Sequence, residues 1–207
     1  MEYNGTEELW DIYDENRKPL GLVIIRGGGR LQLHHYHLTC EAILYDAHGN
    51  ILITRRSPEK ATFGMKWEVT AGSAMSGETT KEAAIREVKE ETGIDISNCK
   101  MVLLASERVD NIFRDSYGVL VPNLSLDDIR LQPGETIDAA IENQQEIFLM
   151  IRDGDFGKEQ GNRLISLIAL GNRMLLGRTT EPGKKTLTAL HLKQASVPTK
   201  RRGGAAT

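Results

Sequence analysis

The residues best suited to chemistry lie together in Gly72 to Ile94, GSAMSGETTKEAAIREVKEETGI. The first half is a loop marked by Gly72 and Gly77, and the second is crowded with carboxylates. Thr79 followed three residues later by Glu82 is a capping box, so the spacing predicts a helix starting near Thr80. Gly93 supplies a left-handed stop at its other end. On that helix Glu87, Glu90 and Glu91 stand at i, i+3 and i+4, which brings their carboxylates to one face. Like charges so arranged repel by roughly a few tenths of a kcal/mol per pair on an open helix, and by more where water is excluded. Arg86 is a single neighbouring positive charge. The helix is therefore either a solvated acidic surface or a set of ligands for a divalent cation. All-oxygen ligands would select Mg2+ or Mn2+ rather than zinc.

Several strands must hold this stretch in place. Glu8 to Tyr13 alternates, meets the turn-rich Asp14-Glu15-Asn16, and returns through Gly21 to Arg26, which reads as an N-terminal β-hairpin. Gly27-Gly28-Gly29 is a loop, because no helix follows it to complete a phosphate cradle. Leu38 to Tyr45 reads as a strand, Asp46 to Asn50 as a hairpin turn, and Ile51 to Arg56 as the partner strand. His35 and His37 share a strand face and His34 points away, so the three line one end of the sheet or reach solvent more readily than they ligate metal. Arg55 and Arg56 end their strand either as exposed residues or where guanidinium forks could meet a substrate phosphate. Ser57 to Lys66 is a polar loop, and Trp67 to Ala71 a short strand leading into Gly72.

Beyond the acidic helix, Met101–Ala105 and Ser116–Val121 read as strands separated by a polar segment from Glu107 to Asp115. Asn123 to Glu135 is a long connection containing the turn signal Pro133-Gly134. Helices are predicted over Gln145–Asp153, stopped by Gly154, and over Asn162–Leu170. Strands and helices mixed without strict alternation imply an α/β fold, a sheet with helices on both sides.

At 207 residues with 40% hydrophobic and 27% charged residues, the chain has the composition of one soluble domain. No apolar run approaches the roughly 18 residues of a membrane span, and the first residues carry no secretory pattern. With two cysteines, Cys40 and Cys99, and no CxxC spacing, neither a disulfide framework nor a zinc site is expected, and a cytoplasmic location is. From Gly171 onward there are eight Lys or Arg against Glu181 alone, leaving a balance of −10 in the preceding residues. The acidic body argues against nucleic-acid binding by the folded part. The organisation expected is a hairpin extension over 1–30, a domain over 31–170, and a basic, poorly ordered tail over 171–207. The hairpin offers a surface through which two copies could form a homodimer.

The spacing Gly72, Glu78, Arg86-Glu87-Val88, Glu90-Glu91, Gly93-Ile94 resembles the Nudix box, G-x5-E-x7-R-E-U-x-E-E-x-G-U with U aliphatic, at every position. The resemblance extends over about residues 35 to 168. It implies the α/β/α Nudix sandwich, with a mixed sheet, and hydrolysis of a diphosphate linkage in a nucleoside diphosphate derivative or similar phosphorylated metabolite. It further implies that Glu87, Glu90 and Glu91 bind Mg2+ or Mn2+, joined by the Gly72 carbonyl. Glu87 would also orient or deprotonate the attacking water, with Arg86 and Glu90 beside it in the catalytic group. Arg86 would pair with Glu78 or a helix carboxylate to hold the loop, and Gly93 would be structural. In some members a Glu outside the box is the base, and here Glu135 and Glu146 both qualify.

The segments EELWDIYDENRKPLG and YHLTCEAIL are similar to the isopentenyl-diphosphate-isomerase-like subgroup of the family. That isomerase requires Cys-Gly-His where this chain has Ala71-Gly72-Ser73. Isomerisation and non-catalytic metabolite binding are therefore the alternatives to hydrolysis, with RNA processing resting on the basic tail alone.

Overall fold

The computed structural model describes residues 8–178. Its centre is β3 (His37–Tyr45), an almost wholly buried strand whose alternate residues feed two cores. Leu38, Cys40, Ala42 and Leu44 face one side, packed with Ala83, Ala84 and Val88 of α1 (Thr80–Thr92). Ile43 and Tyr45 face the other, packed with Ile147 of α2 (Gln144–Asp153) and with Leu164, Leu167, Ile168 and Leu175 of α3 (Lys158–Leu176). A strand buried on both faces reads as a continuous apolar run, and helices must cover each face. The expected α/β/α sandwich is the observed fold.

Around β3 the sheet is mixed. β8 (Ile112–Leu120) runs parallel to it from His37↔Ile112 to Tyr45↔Leu120. β4 (Ile51–Arg56) is antiparallel and is reached by the Asp46–Asn50 turn, where the Asp46 carboxylate accepts from the backbone N–H groups of His48 and Asn50. β7 (Lys100–Val109) pairs the outer edge of β8. The strand expected over Trp67–Ala71 is two pieces. β5 (Trp67–Glu68) pairs β4, and after Val69 the chain crosses over so that β6 (Thr70–Ser73) pairs β3, setting Gly72 opposite Cys40.

Three expectations are corrected. The polar segment from Glu107 to Asp115 is not a loop, because β7 and β8 continue to a two-residue turn at Asp110 and Asn111, with Asp110 at φ 49°. Charged residues on the exposed face hid the pairing. The region after Pro133-Gly134 contains β9 (Thr136–Glu142), which sequence reading missed; its Ala-Ala centre has weak strand preference, and pairing with β4 from Ile51↔Glu142 to Arg56↔Thr136 stabilises it. The second C-terminal helix runs through Gly171 to Leu176 instead of stopping at Leu170. Gly171 is no terminator: a Cβ there would overlap the buried Tyr45 ring, whose hydroxyl reaches the Leu167 and Ile168 carbonyls at 3.5 and 3.4 Å. Of the tail expected over 171–207, residues 171–176 are therefore helix, and 179–207 lie outside the described residues.

β1 (Leu9–Tyr13) and β2 (Pro19–Ile25) form the expected hairpin as a separate two-stranded sheet. Tyr13 and Tyr36 exchange backbone hydrogen bonds of 2.8 and 3.0 Å, so the hairpin is tied to the chain entering β3. At its turn Arg17 grips Asp115 at 2.5 and 2.9 Å. No helix among the described residues is long and apolar enough to cross a membrane.

Gly171→Ala is expected to lower stability by about 1–3 kcal/mol through forced repacking against Tyr45, read from the urea midpoint at unchanged m-value. The same substitution in an exposed helix interior would stabilise by about 1 kcal/mol, so the sign of the change reports the close approach.

Candidate active site

Three local features bring the box together. Thr79 caps α1 in the predicted manner, with its hydroxyl accepting from the Glu82 N–H at 3.2 Å and the Glu82 carboxylate accepting from the Thr79 N–H at 2.9 Å. Gly93 ends the helix in the left-handed conformation at φ 78°, its N–H donating to the Lys89 carbonyl. Between β6 and α1 the loop folds on itself: Glu78 N–H donates to the Met75 carbonyl at 2.9 Å, and Met75 N–H donates to the Glu78 carboxylate at 2.8 Å.

The Arg86 guanidinium then joins loop, strand and helix. Its Nε and one terminal nitrogen donate to both Glu78 oxygens at 2.8 and 3.0 Å, and that nitrogen also reaches the Ser73 carbonyl at 2.9 Å. The other donates to Glu87 at 2.9 Å and to Glu90 at 3.0 Å. The expectation that Arg86 pairs with Glu78 or a helix carboxylate is thus exceeded, because it holds three carboxylates at once. Burial would lower its pKa, yet the hydrogen bonds it donates to Glu78 and the Glu87 charge raise it instead. Gly72 sits so close to Glu87 that a Cβ would overlap the Glu87 carboxyl, which explains why the box needs glycine there.

The three helix acids occupy different environments. The Glu90 side chain is 45% exposed, while Glu87 is largely covered, its pKa raised first by burial against the lowering influence of Arg86. Glu91 turns inward, buried at 8% exposure, and its Oε2 has no hydrogen-bond partner. Burial first, then the charges of Glu68 and Glu87, push its pKa up to about 8. Against these the Thr70 side chain supplies one hydrogen bond that acts to lower it. A buried carboxyl with an orphaned oxygen, acidic neighbours and no cation beside it must carry a proton or meet a cation. The donor set therefore fits a divalent ion, although as they stand no three acidic or metal-ligating side chains among the described residues are gathered closely enough to hold one.

Around Glu91 lie residues that sequence reading passed over. Glu68 is buried, its pKa raised by burial against the pull of Arg56, which donates to both its oxygens at 2.8 and 3.0 Å. Its signal was present in the alternation Glu68, Thr70, Gly72, a charged residue at an inward position. Cys40, read only as belonging to an upstream strand, stands across from Gly72 with its thiol 3.5 Å from the Gly72 carbonyl. Burial and then Glu87 push the Cys40 pKa up to about 12.

The remaining candidates separate. Glu135 adds to the negative field on Glu68 and Glu91 and is ion-paired with Lys60. Glu146 sits exposed at the start of α2, its N–H capped by Asn143 at 3.0 Å. Arg56 is committed to Glu68, whereas Arg55 donates from Nε to the Met65 carbonyl at 3.1 Å and lies over the Trp67 ring. The histidines do not converge: His37 is buried and stacked on Trp10 at 3.9 Å, His34 is exposed at φ 63°, and the His35 carbonyl accepts from Asn111.

Comparison with known proteins gives one consistent result. The family model described as NUDIX domain matches residues 35–157. A protein of Listeria monocytogenes described as an uncharacterised Nudix hydrolase is 33% identical over 150 residues, covering 72% of this chain and 88% of its own length. An isopentenyl-diphosphate Delta-isomerase of Mycolicibacterium vanbaalenii is 32% identical over 108 residues, covering 50% of this chain and 57% of that protein. A crystal structure of a Deinococcus radiodurans protein superposes with a TM-score of 0.63 at 24% identity, covering 78% of this chain and 97% of that one.

Arg86→Lys keeps the charge but not the fork, so one ammonium must replace five hydrogen bonds. It is expected to cost about 1–3 kcal/mol in chemical denaturation, since the half-buried Glu78 and Glu87 oxygens lose their donors.

Proposed function

The chain belongs to the NUDIX domain family and is a Nudix hydrolase, and from that premise we propose that it cleaves a diphosphate linkage in a small phosphorylated metabolite with Mg2+ or Mn2+. A nucleoside diphosphate derivative is the substrate class favoured. The observation that carries the reading is the buried Glu91 carboxyl, orphaned at one oxygen and surrounded by the charges of Glu68, Glu87 and Glu135, beside a Gly72–Glu87 approach that leaves no room for a side chain.

In this reading Glu87, Glu90 and Glu91, with the Gly72 carbonyl, hold the cation, which when bound neutralises the diphosphate and acidifies a bound water. Glu87, set against the Gly72 backbone and held by Arg86, would orient that water and take up its proton. Arg86 fixes Glu87 relative to the loop through Glu78. Glu135 is the second candidate for the base, favoured over Glu146 by its influence on Glu91. Arg55 is the arginine proposed to meet substrate phosphate, since Arg56 neutralises Glu68.

Isomerisation of a prenyl diphosphate is the weaker reading. Ala71, Gly72 and Ser73 carry no thiol. Cys40, the thiol that approaches them, is held protonated by burial.

The test is cleavage of nucleotide sugars, dinucleoside polyphosphates, NADH, coenzyme A and damaged nucleoside triphosphates, read as the phosphorylated products or as phosphate after phosphatase treatment, with isopentenyl diphosphate assayed separately for its dimethylallyl isomer. Turnover by the native chain and its loss by at least about 100-fold in Glu87→Gln and Glu90→Gln, with unchanged circular dichroism, is the expected outcome. Unaltered turnover in both variants, or isomer formation without hydrolysis, would overturn the reading.

A further inference from the structure

The hairpin precedes residues 35–157, where the family model matches, yet it touches the box loop directly. Ser76 N–H donates to the Leu9 carbonyl at 2.7 Å. The Asp11 carboxylate takes two more donors from the same turn, the Ser76 hydroxyl at 2.6 Å on one oxygen and the Gly77 N–H at 2.8 Å on the other. Gly77 is left-handed at φ 86°, a conformation that glycine adopts without strain. The next bonds in line are the reciprocal pair between Met75 and Glu78, and Glu78 is the carboxylate that Arg86 grips while also holding Glu87. The Met75–Glu78 segment thus carries two sets of hydrogen bonds, one to Asp11 and one that leads to the acidic helix.

The hairpin's other end reaches that helix separately. Arg17, left-handed at φ 60°, donates to Asp115 and to the Ser106 hydroxyl at 3.0 Å. Asp115 accepts from the hydroxyl of Thr80, the first residue of α1, at 2.6 Å. Burial acts to raise the Asp115 pKa, but the hydrogen bonds from Arg17, Ser106 and Thr80 hold it below the ordinary value. Loop and helix start are thus gripped at two points by one hairpin whose strands are tied by register.

We infer that Asp11 is a positioning residue of the active site: the hairpin clamps the Ser76–Gly77 turn, and through Glu78 and Arg86 it sets where Glu87 stands. The functional unit accordingly begins at the hairpin, ahead of the family domain. Asp11 is half-buried and its bonds lie at the surface, so its loss should show in loop order and rate before it shows in global stability. Only the kinetic part of the inference rests on the hydrolase reading.

The experiment is hydrogen–deuterium exchange and steady-state kinetics on the full chain carrying Asp11→Ala, Asp11→Asn or Ser76→Ala, with ADP-ribose and Mg2+ as probes. The informative amides are Met75 and Glu78, which do not themselves bond to Asp11. In Asp11→Ala they are expected to exchange at least about tenfold faster while amides inside α1 and β3 keep their rates. The kcat for ADP-ribose should fall by about ten- to a hundredfold with KM within about twofold, as expected for a displaced catalytic group and not a lost substrate contact. Asp11→Asn, which retains one acceptor oxygen, and Ser76→Ala should fall between the native chain and Asp11→Ala. Native exchange at Met75 and Glu78, or a kcat that falls only with the folded fraction, overturns the inference. If the native chain does not turn over ADP-ribose, the failure concerns the choice of substrate, and exchange at Met75 and Glu78 alone decides the role of Asp11.

Discussion

Arg86 bridges Glu78, Glu87 and Glu90, three carboxylates whose mutual repulsion across a loop and one turn of helix it offsets in part, and its fourth attachment is the Ser73 backbone. Other features of the site depend on that guanidinium staying where it is. The fork geometry demands fixed positions for the loop, the strand end and the helix. These come from the Thr79 cap, the β3–β6 register and the turn at Gly77. Gly72 completes the arrangement by letting the Glu87 carboxyl lie against the strand backbone. A charged group held by several donors in a partly buried setting is stabilising only when all its partners are supplied together. That cooperativity explains why residues from three separate elements must be kept in one arrangement.

The charge around the site is divided unevenly. Glu78, Glu87 and Glu90 share the single Arg86 cation, and Glu68 and Glu135 each have one in Arg56 and Lys60. Glu91 alone among these acids lacks one, although it is among the most deeply buried. Burial of an unpaired carboxylate is costly, and the cost falls when a cation arrives. On the function proposed above, Glu91 is where a cation would relieve that cost, as expected when part of the stability of a site is given up for binding.

The sandwich supplies rigidity for this arrangement from two cores that share β3. The α1 core carries the acidic helix, and the α2–α3 core closes the opposite face, with Gly171 letting α3 approach Tyr45. The Deinococcus radiodurans structure shares this fold at low identity, so the layers do not depend on one particular set of core residues. The hairpin adds contacts of a different kind, polar and local to the box, through Asp11 and Arg17.

How much of this was legible in the sequence follows the range of the interactions. Capping, helix stop and the β3–β4 turn are local, since each depends on residues within about four positions, and all appear as expected; the carboxylates expected on one face of α1 instead divide between burial at Glu91 and exposure at Glu90. Missing from the sequence reading were β9, whose strand exists because β4 offers it a free edge, and the length of α3, whose Gly171 answers to Tyr45 in a distant strand. The same division holds within the site. Spacing alone determined that Glu87, Glu90 and Glu91 lie one turn apart and that Gly72 and Glu78 precede them at set distances. Only the tertiary structure decided that Glu91 turns into a pocket of acids while Glu90 faces water, that Cys40 and Glu68 join the neighbourhood, and that Asp11 holds the loop. Those outcomes depend on burial and on pairings between residues tens of positions apart, and neither is encoded in any short window of the chain.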